Sequence, residues 1–144
     1  MEKQLQTITG ANENPISLHQ LVSNMLKSSL SAANHKNTHL VNEVDLLIPM
    51  GTAMHKAIAV IEDLLATVVA NSRNGEIHIT ADRYRDVVIL EIQERNNYNG
   101  YALAYSILSM EQDAASAGGY LSIKGPQQKV TTISFSFPSN LLAA

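Results

Sequence analysis

The sequence predicts an α+β two-layer sandwich, in which a five-stranded mixed sheet carries three helices on one face. Three observations lead there. Five segments alternate apolar with polar residues, the pattern of strands covered on one side only. Three others repeat their apolar residues at intervals of three and four, the stripe of an amphipathic helix. The two kinds follow one another as α-β-α-β-β-α-β-β, and hairpins joined by helices pack most simply as helices on one face of one sheet. At 144 residues and 45% hydrophobic content, the chain can bury one core and is short for two.

The first helix is carried by Ile16, Leu18, Leu21, Val22, Met25, Leu26 and Leu30, with Ser17 placed to cap it. Leu40, Val41, Val44 and Leu46 then predict a strand and a bend that stops at Pro49. The second helix runs through Ile58, Ile61, Leu64, Leu65 and Val68 and stops between Asn71 and Gly75, residues that suit a helix end. A hairpin follows: Ile77 and Ile79 in one strand, a turn around Asp82 to Asp86, and Val87 to Ile92 in the other. Leu103, Ile107, Leu108 and Met110 make the third helix, closed by Gly118 and Gly119. The last two strands turn at Gly125-Pro126, with Leu121 and Ile123 in one and Ile133, Phe135 and Phe137 in the other, ended by Pro138. Residues 1–14 are polar and without period and read as a flexible arm, 15–139 as the domain and 140–144 as a tail.

Composition narrows the function. A formal charge of −3 and the absence of Lys/Arg runs argue against nucleic acid as partner. The chain has no cysteine, hence no disulfide, thiolate nucleophile or Cys-held zinc. No apolar stretch is long enough for a membrane span or a signal peptide, so a cytoplasmic protein without membrane contact is expected. The five histidines offer little chemistry. His19 and His55 read as surface or helix-end residues, and His35 and His39 sit where a helix gives way to a strand rather than on one ligating face. Tyr98, Tyr101 and Tyr105 either complete the core with their hydroxyls in water or line a site for a ligand or partner.

The ordered succession of motifs resembles a known family. "NPISLHQLVSNML" is similar to the segment that opens the ATP-binding domain of sensor histidine kinases, and "IEDLLATVVANSRNGEIHI" to their N-box helix and next strand. "VVILEIQE" resembles the following strand, "NGYALAYSILSMEQDAASAGGYLSI" the glycine box with its helix and Gly-Gly ending, and "KVTTISFSFP" the closing strand. From about residue 14 onward the chain is thus similar to the GHKL, or histidine-kinase-like, ATPase superfamily and its Bergerat-type fold.

The resemblance implies a relic ATP pocket made by Asp63, Thr67, Glu94, Asn96, Gly100 and Thr132. Thr67 stands where the family's N-box presents a metal-side Asn. Asp63, one turn earlier on the same face, either lends an oxygen to Mg²⁺ or is a solvated acid. Glu94 takes the place of the adenine-binding Asp, while both glycines that follow in the family are replaced and Asn96 is left to supply a positive φ. Gly100 alone remains of the second glycine box, only a few residues from Glu94, which leaves no room for the family's nucleotide lid. The closing Gly-Thr becomes Val130-Thr131 or Thr131-Thr132. No catalytic residue and no resident metal are expected.

The favoured reading is a degenerate, non-enzymatic domain that docks a protein partner in a bacterial two-component-type signalling pathway. Self-association through Met25 and Leu26 of the first helix is a further expectation. Two alternatives stay open: a small ATP- and Mg-dependent kinase resembling the anti-sigma-factor kinases, and a small-molecule binder that reuses the emptied pocket.

Overall fold

The computed structural model describes residues 16–50, 54–96 and 100–139. The expected arm, 1–14, and tail, 140–144, lie outside them, as does Tyr98. In chain order the elements are β1 (Ile16–Ser17), α1 (Leu18–His35), β2 (His39–Asn42), β3 (Pro49–Met50), α2 (His55–Ala70), β4 (Glu76–Tyr84), β5 (Val87–Arg95), α3 (Gly100–Leu108), α4 (Glu111–Ser116), β6 (Tyr120–Lys124) and β7 (Val130–Pro138). The main sheet has five strands in the order β2-β4-β5-β7-β6. β2 runs parallel to β4 and every other pair is antiparallel, so the sheet is mixed, as the sequence predicts.

Alternation decides which face is buried. Val88, Leu90, Ile92 and Glu94 of β5 point into the helix layer, in register with Ile77 and Ile79 of β4 and with Thr131, Ile133, Phe135 and Phe137 of β7. Leu18, Val22 and Leu26 of α1 and Ile61, Leu64, Leu65 and Val68 of α2 close on them from the other side. Phe135 and Phe137 stack, with ring centroids 4.9 Å apart.

The helix ends follow from local chemistry. Ser17 accepts the Gln20 N–H at 3.1 Å, a cap worth about 1 kcal/mol. Asn37, at φ 56, ends α1 in a Schellman turn: its N–H reaches the Asn34 carbonyl at 3.1 Å, and the Thr38 N–H reaches that of Ala33 at 2.9 Å. Lys36 donates its ammonium to the Ala70 carbonyl, placing a cation at the negative end of α2.

Four local features differ from the sequence reading. The third helix is divided, because the hydroxyls of Ser106 and Ser109 bond the carbonyls of Ala102 and Ser106 and the chain tightens at Ser109-Met110 before α4 begins. β2 ends at Asn42; beyond it Val44 and Ile48 are buried while Leu46 is exposed, so the alternation there belongs to a loop. Ile16 belongs to β1, not to the first helix, and pairs with Met50 in a separate two-stranded sheet. The hairpin turn is only Arg85-Asp86, with Arg85 at φ 54. Met25 and Leu26, expected to mediate self-association, instead pack on or within the core.

Candidate functional site

α2 presents Asp63 and Thr67 one turn apart toward α3 and α4, and each of them lines a cleft there. Asp63 is exposed and lines the first, about 280 Å³, with Lys56 and Val60 of its own helix and Asp113 and Ser116 of α4. Thr67 is half-buried and lines the second, about 410 Å³, with Asn71 and, from α3, Tyr105 and Ser106. The Thr67 carbonyl accepts from the Asn71 side chain at 2.9 Å. The two residues share one face of α2.

Glu94 lies elsewhere, on the helix-facing side of β5, between Ile77 and Thr131 in register. Its relative exposure is 0%, and neither carboxyl oxygen makes a full hydrogen bond. Burial pushes this carboxyl above the usual range, against which the nearby Ser72 hydroxyl acts in part. Other buried polar residues include Ser72, Thr38, whose hydroxyl is 3.5 Å from that of Ser72, and Thr131, which donates to the Gly125 carbonyl at 3.1 Å. Burial thus shifts this carboxyl toward its protonated form, and the Ser72 hydroxyl opposes the shift.

Asn96 adopts φ 66, the conformation expected of it where the related pattern has glycine. Its side chain, however, turns to the Asn74 carbonyl at 2.7 Å and lines a polar hollow of about 380 Å³ with Asn37, His39, Asn74 and Arg95 at the sheet end. Gly100 is buried at the start of α3. Thr132 pairs with Gln93 and Lys124 and faces away from Glu94, on the side of the sheet without helices. Of the six residues, the structure joins Asp63 to Thr67 by face and sets Glu94, Asn96 and Thr132 in three other settings. Thr131, not Thr132, stands beside Glu94, and the sequence carried the signal: Thr131 shares the period-two face of Ile133, Phe135 and Phe137.

His35 ends α1 and His39 opens β2, with the Asn37 turn between them. Among the described residues no group of three or more His, Asp or Glu is arranged to hold a metal ion. Tyr101 and Tyr105 are 71% and 80% exposed on α3, and Leu108 continues their stripe.

No protein-family model matches the sequence, and a search of curated proteins by sequence finds no match. Solved structures do. A histidine kinase from Burkholderia phymatum superposes with a TM-score of 0.70 at 14% identity, over 87% of this chain and 70% of that one. The Acinetobacter baumannii histidine kinase AdeS gives 0.67 at 12% identity, over 88% of this chain and 66% of that one. The catalytic domain of histidine kinase ThkA gives 0.63 at 14% identity, over 85% and 93%. ThkA has also been seen in complex with the response regulator TrrA, a match with a TM-score of 0.59 at 14% identity, over 85% of this chain and 40% of that one.

Proposed function

We propose that this chain, which has the fold of histidine-kinase ATP-binding domains, is a degenerate member of that architecture that has given up nucleotide chemistry and serves signalling by binding a protein. Glu94 carries the reading. Where the fold would offer a carboxylate to an adenine amino group, this chain has an acid with no exposed surface, held toward its neutral form. Thr132 faces the far side of the sheet from Glu94, so these two residues do not meet as one donor set for a nucleotide and its Mg²⁺.

Thermal unfolding with millimolar ATP or ADP and Mg²⁺ tests this. The expected result is an unchanged melting temperature. A ligand at about 100 times its dissociation constant would add about 2.7 kcal/mol, a shift of several degrees in a domain of this size. Such a shift would overturn the proposal in favour of a small kinase.

The protein-binding part is supported by α3, whose Tyr101, Tyr105 and Leu108 form an exposed stripe at helical spacing. ThkA with its response regulator provides the analogy for a signalling partner. Tyr105→Ala is expected to leave stability within about 0.5 kcal/mol, since the ring buries little in the fold. A larger loss in denaturant titration would assign the ring to the core instead.

A further inference from the structure

The open face of the sheet holds a second cluster of titratable groups, centred on His78 of β4. Its side chain is 12% exposed; Nδ1 lies 2.9 Å from Glu43 Oε1, and Nε2 lies 2.8 Å from Glu76 Oε1. A neutral imidazole has one N–H and one lone pair, so between two carboxylates it serves one and turns a lone pair on the other. Only the imidazolium donates to both. Glu43 follows β2, an edge strand of the sheet, and its own N–H donates to the Ile79 carbonyl at 2.8 Å, one step past the parallel ladder. Glu76 belongs to β4 itself.

We propose that His78 is a protonation-controlled clasp, which as imidazolium fastens the end of edge strand β2 to β4 and as neutral imidazole releases it. The facing groups come from three strands. The β2 segment supplies His39 and Glu43, and β4 supplies Glu76. From β5 come Gln93, the register partner of His78, and Arg95, whose Nη1 is 3.9 Å from Glu76 Oε1; Glu91 is turned toward the Ser134 hydroxyl. The hydrogen bond to Glu76 and then that to Glu43 hold His78 above the ordinary imidazole value of 6.5, with burial and Arg95 opposing. The same bond to His78 lowers the Glu76 carboxyl. A His whose folded value is raised contributes its stability fully below the unfolded value and loses it as pH rises through the folded one. The edge is therefore fastened in mild acid and freed above the His78 midpoint, which exposes the backbone of β2 to pairing.

NMR titration of the imidazole nitrogens, with amide hydrogen exchange of residues 39–43 corrected for intrinsic base catalysis, tests the clasp. The wild-type midpoint is expected above 6.5, with both nitrogens protonated below it, and Glu43→Gln is expected to lower it. Protection at Glu43 is expected to be lost across that midpoint in the wild type and to be independent of pH over the same window in His78→Gln. A midpoint at or below 6.5, or the same loss of protection in wild type and His78→Gln, would overturn the proposal. Glu43→Gln keeps the histidine and most of the packing, so it decides the matter even if His78→Gln does not fold.

Discussion

Glu94→Met is expected to stabilise the protein at neutral pH by about 1–3 kcal/mol, the cost of leaving a buried polar group without a hydrogen bond. The methionine keeps the length of the side chain and sets apolar atoms against Ile77 and the neighbouring core, where the carboxyl oxygens now find no full partner. The gain depends on pH in a direction that can be worked out. Glu94 has a folded value raised above its unfolded one, so the folded state holds the proton more tightly. Its contribution is fully present below the unfolded carboxyl value and is lost as pH rises through the folded value. The advantage of Glu94→Met should thus be smallest in acid and grow toward neutrality. Thermal melts of both proteins from about pH 4 to 8 measure it, at about 2–8 °C per kcal/mol for domains of this order of size. If the variant melts lower than wild type at pH 7, Glu94 has partners that hold the fold together, and the account of a closed, neutral site fails. The comparison also separates Glu94 from His78. Both titrations weaken the protein as pH rises, but only the first is removed by Glu94→Met.

Much of this fold can be read from period alone. Val88, Leu90 and Ile92 alternate, Ile61, Leu64, Leu65 and Val68 recur at helical spacing, and both patterns report one buried face. β1 and β3 could not be read so, because two residues per strand carry no period and exist only through each other, Ile16 against Met50. The break between α3 and α4 is set by which carbonyls Ser106 and Ser109 take, a competition invisible to hydrophobic spacing. The candidate site divides in the same manner. Asn96 at positive φ follows from what asparagine tolerates, and Thr131 inside follows from alternation, although the shifted choice of Thr132 missed it. Ser72 and Thr38 reach the neighbourhood of Glu94 from a helix end and a loop, and Glu43 reaches His78 across 35 residues. Such contacts need the strand register, which no local pattern supplies.

Gly119→Ala is expected to destabilise the protein by about 1–3 kcal/mol or more, the cost of forcing an extra carbon into a packed site. The turn that closes α4 explains why. Gly118, at φ 77, and Gly119 return their N–H groups to the carbonyls of Ala115 and Ala114 at 2.9 and 2.8 Å, a Schellman ending that hands the chain directly to β6. The two glycines serve it for different reasons. At Gly118 a Cβ would meet the Pro138 ring, Cγ at 3.3 Å and Cδ at 3.6 Å, so alanine there pays mainly for the left-handed backbone, about 1–2 kcal/mol. At Gly119 a Cβ would lie 2.4 Å from the Ser136 carbonyl oxygen and 2.7 Å from Phe135 Cε1, a backbone atom of β7 and a fully buried ring. Neither can retreat without loosening the β6–β7 ladder or the Phe135–Phe137 stack. Denaturant titration should therefore rank Gly119→Ala below Gly118→Ala, and Gly118→Asn close to wild type, because asparagine tolerates the left-handed region. The reverse order would mean that backbone conformation, rather than the approach of α4 to β7, fixes this corner of the sheet.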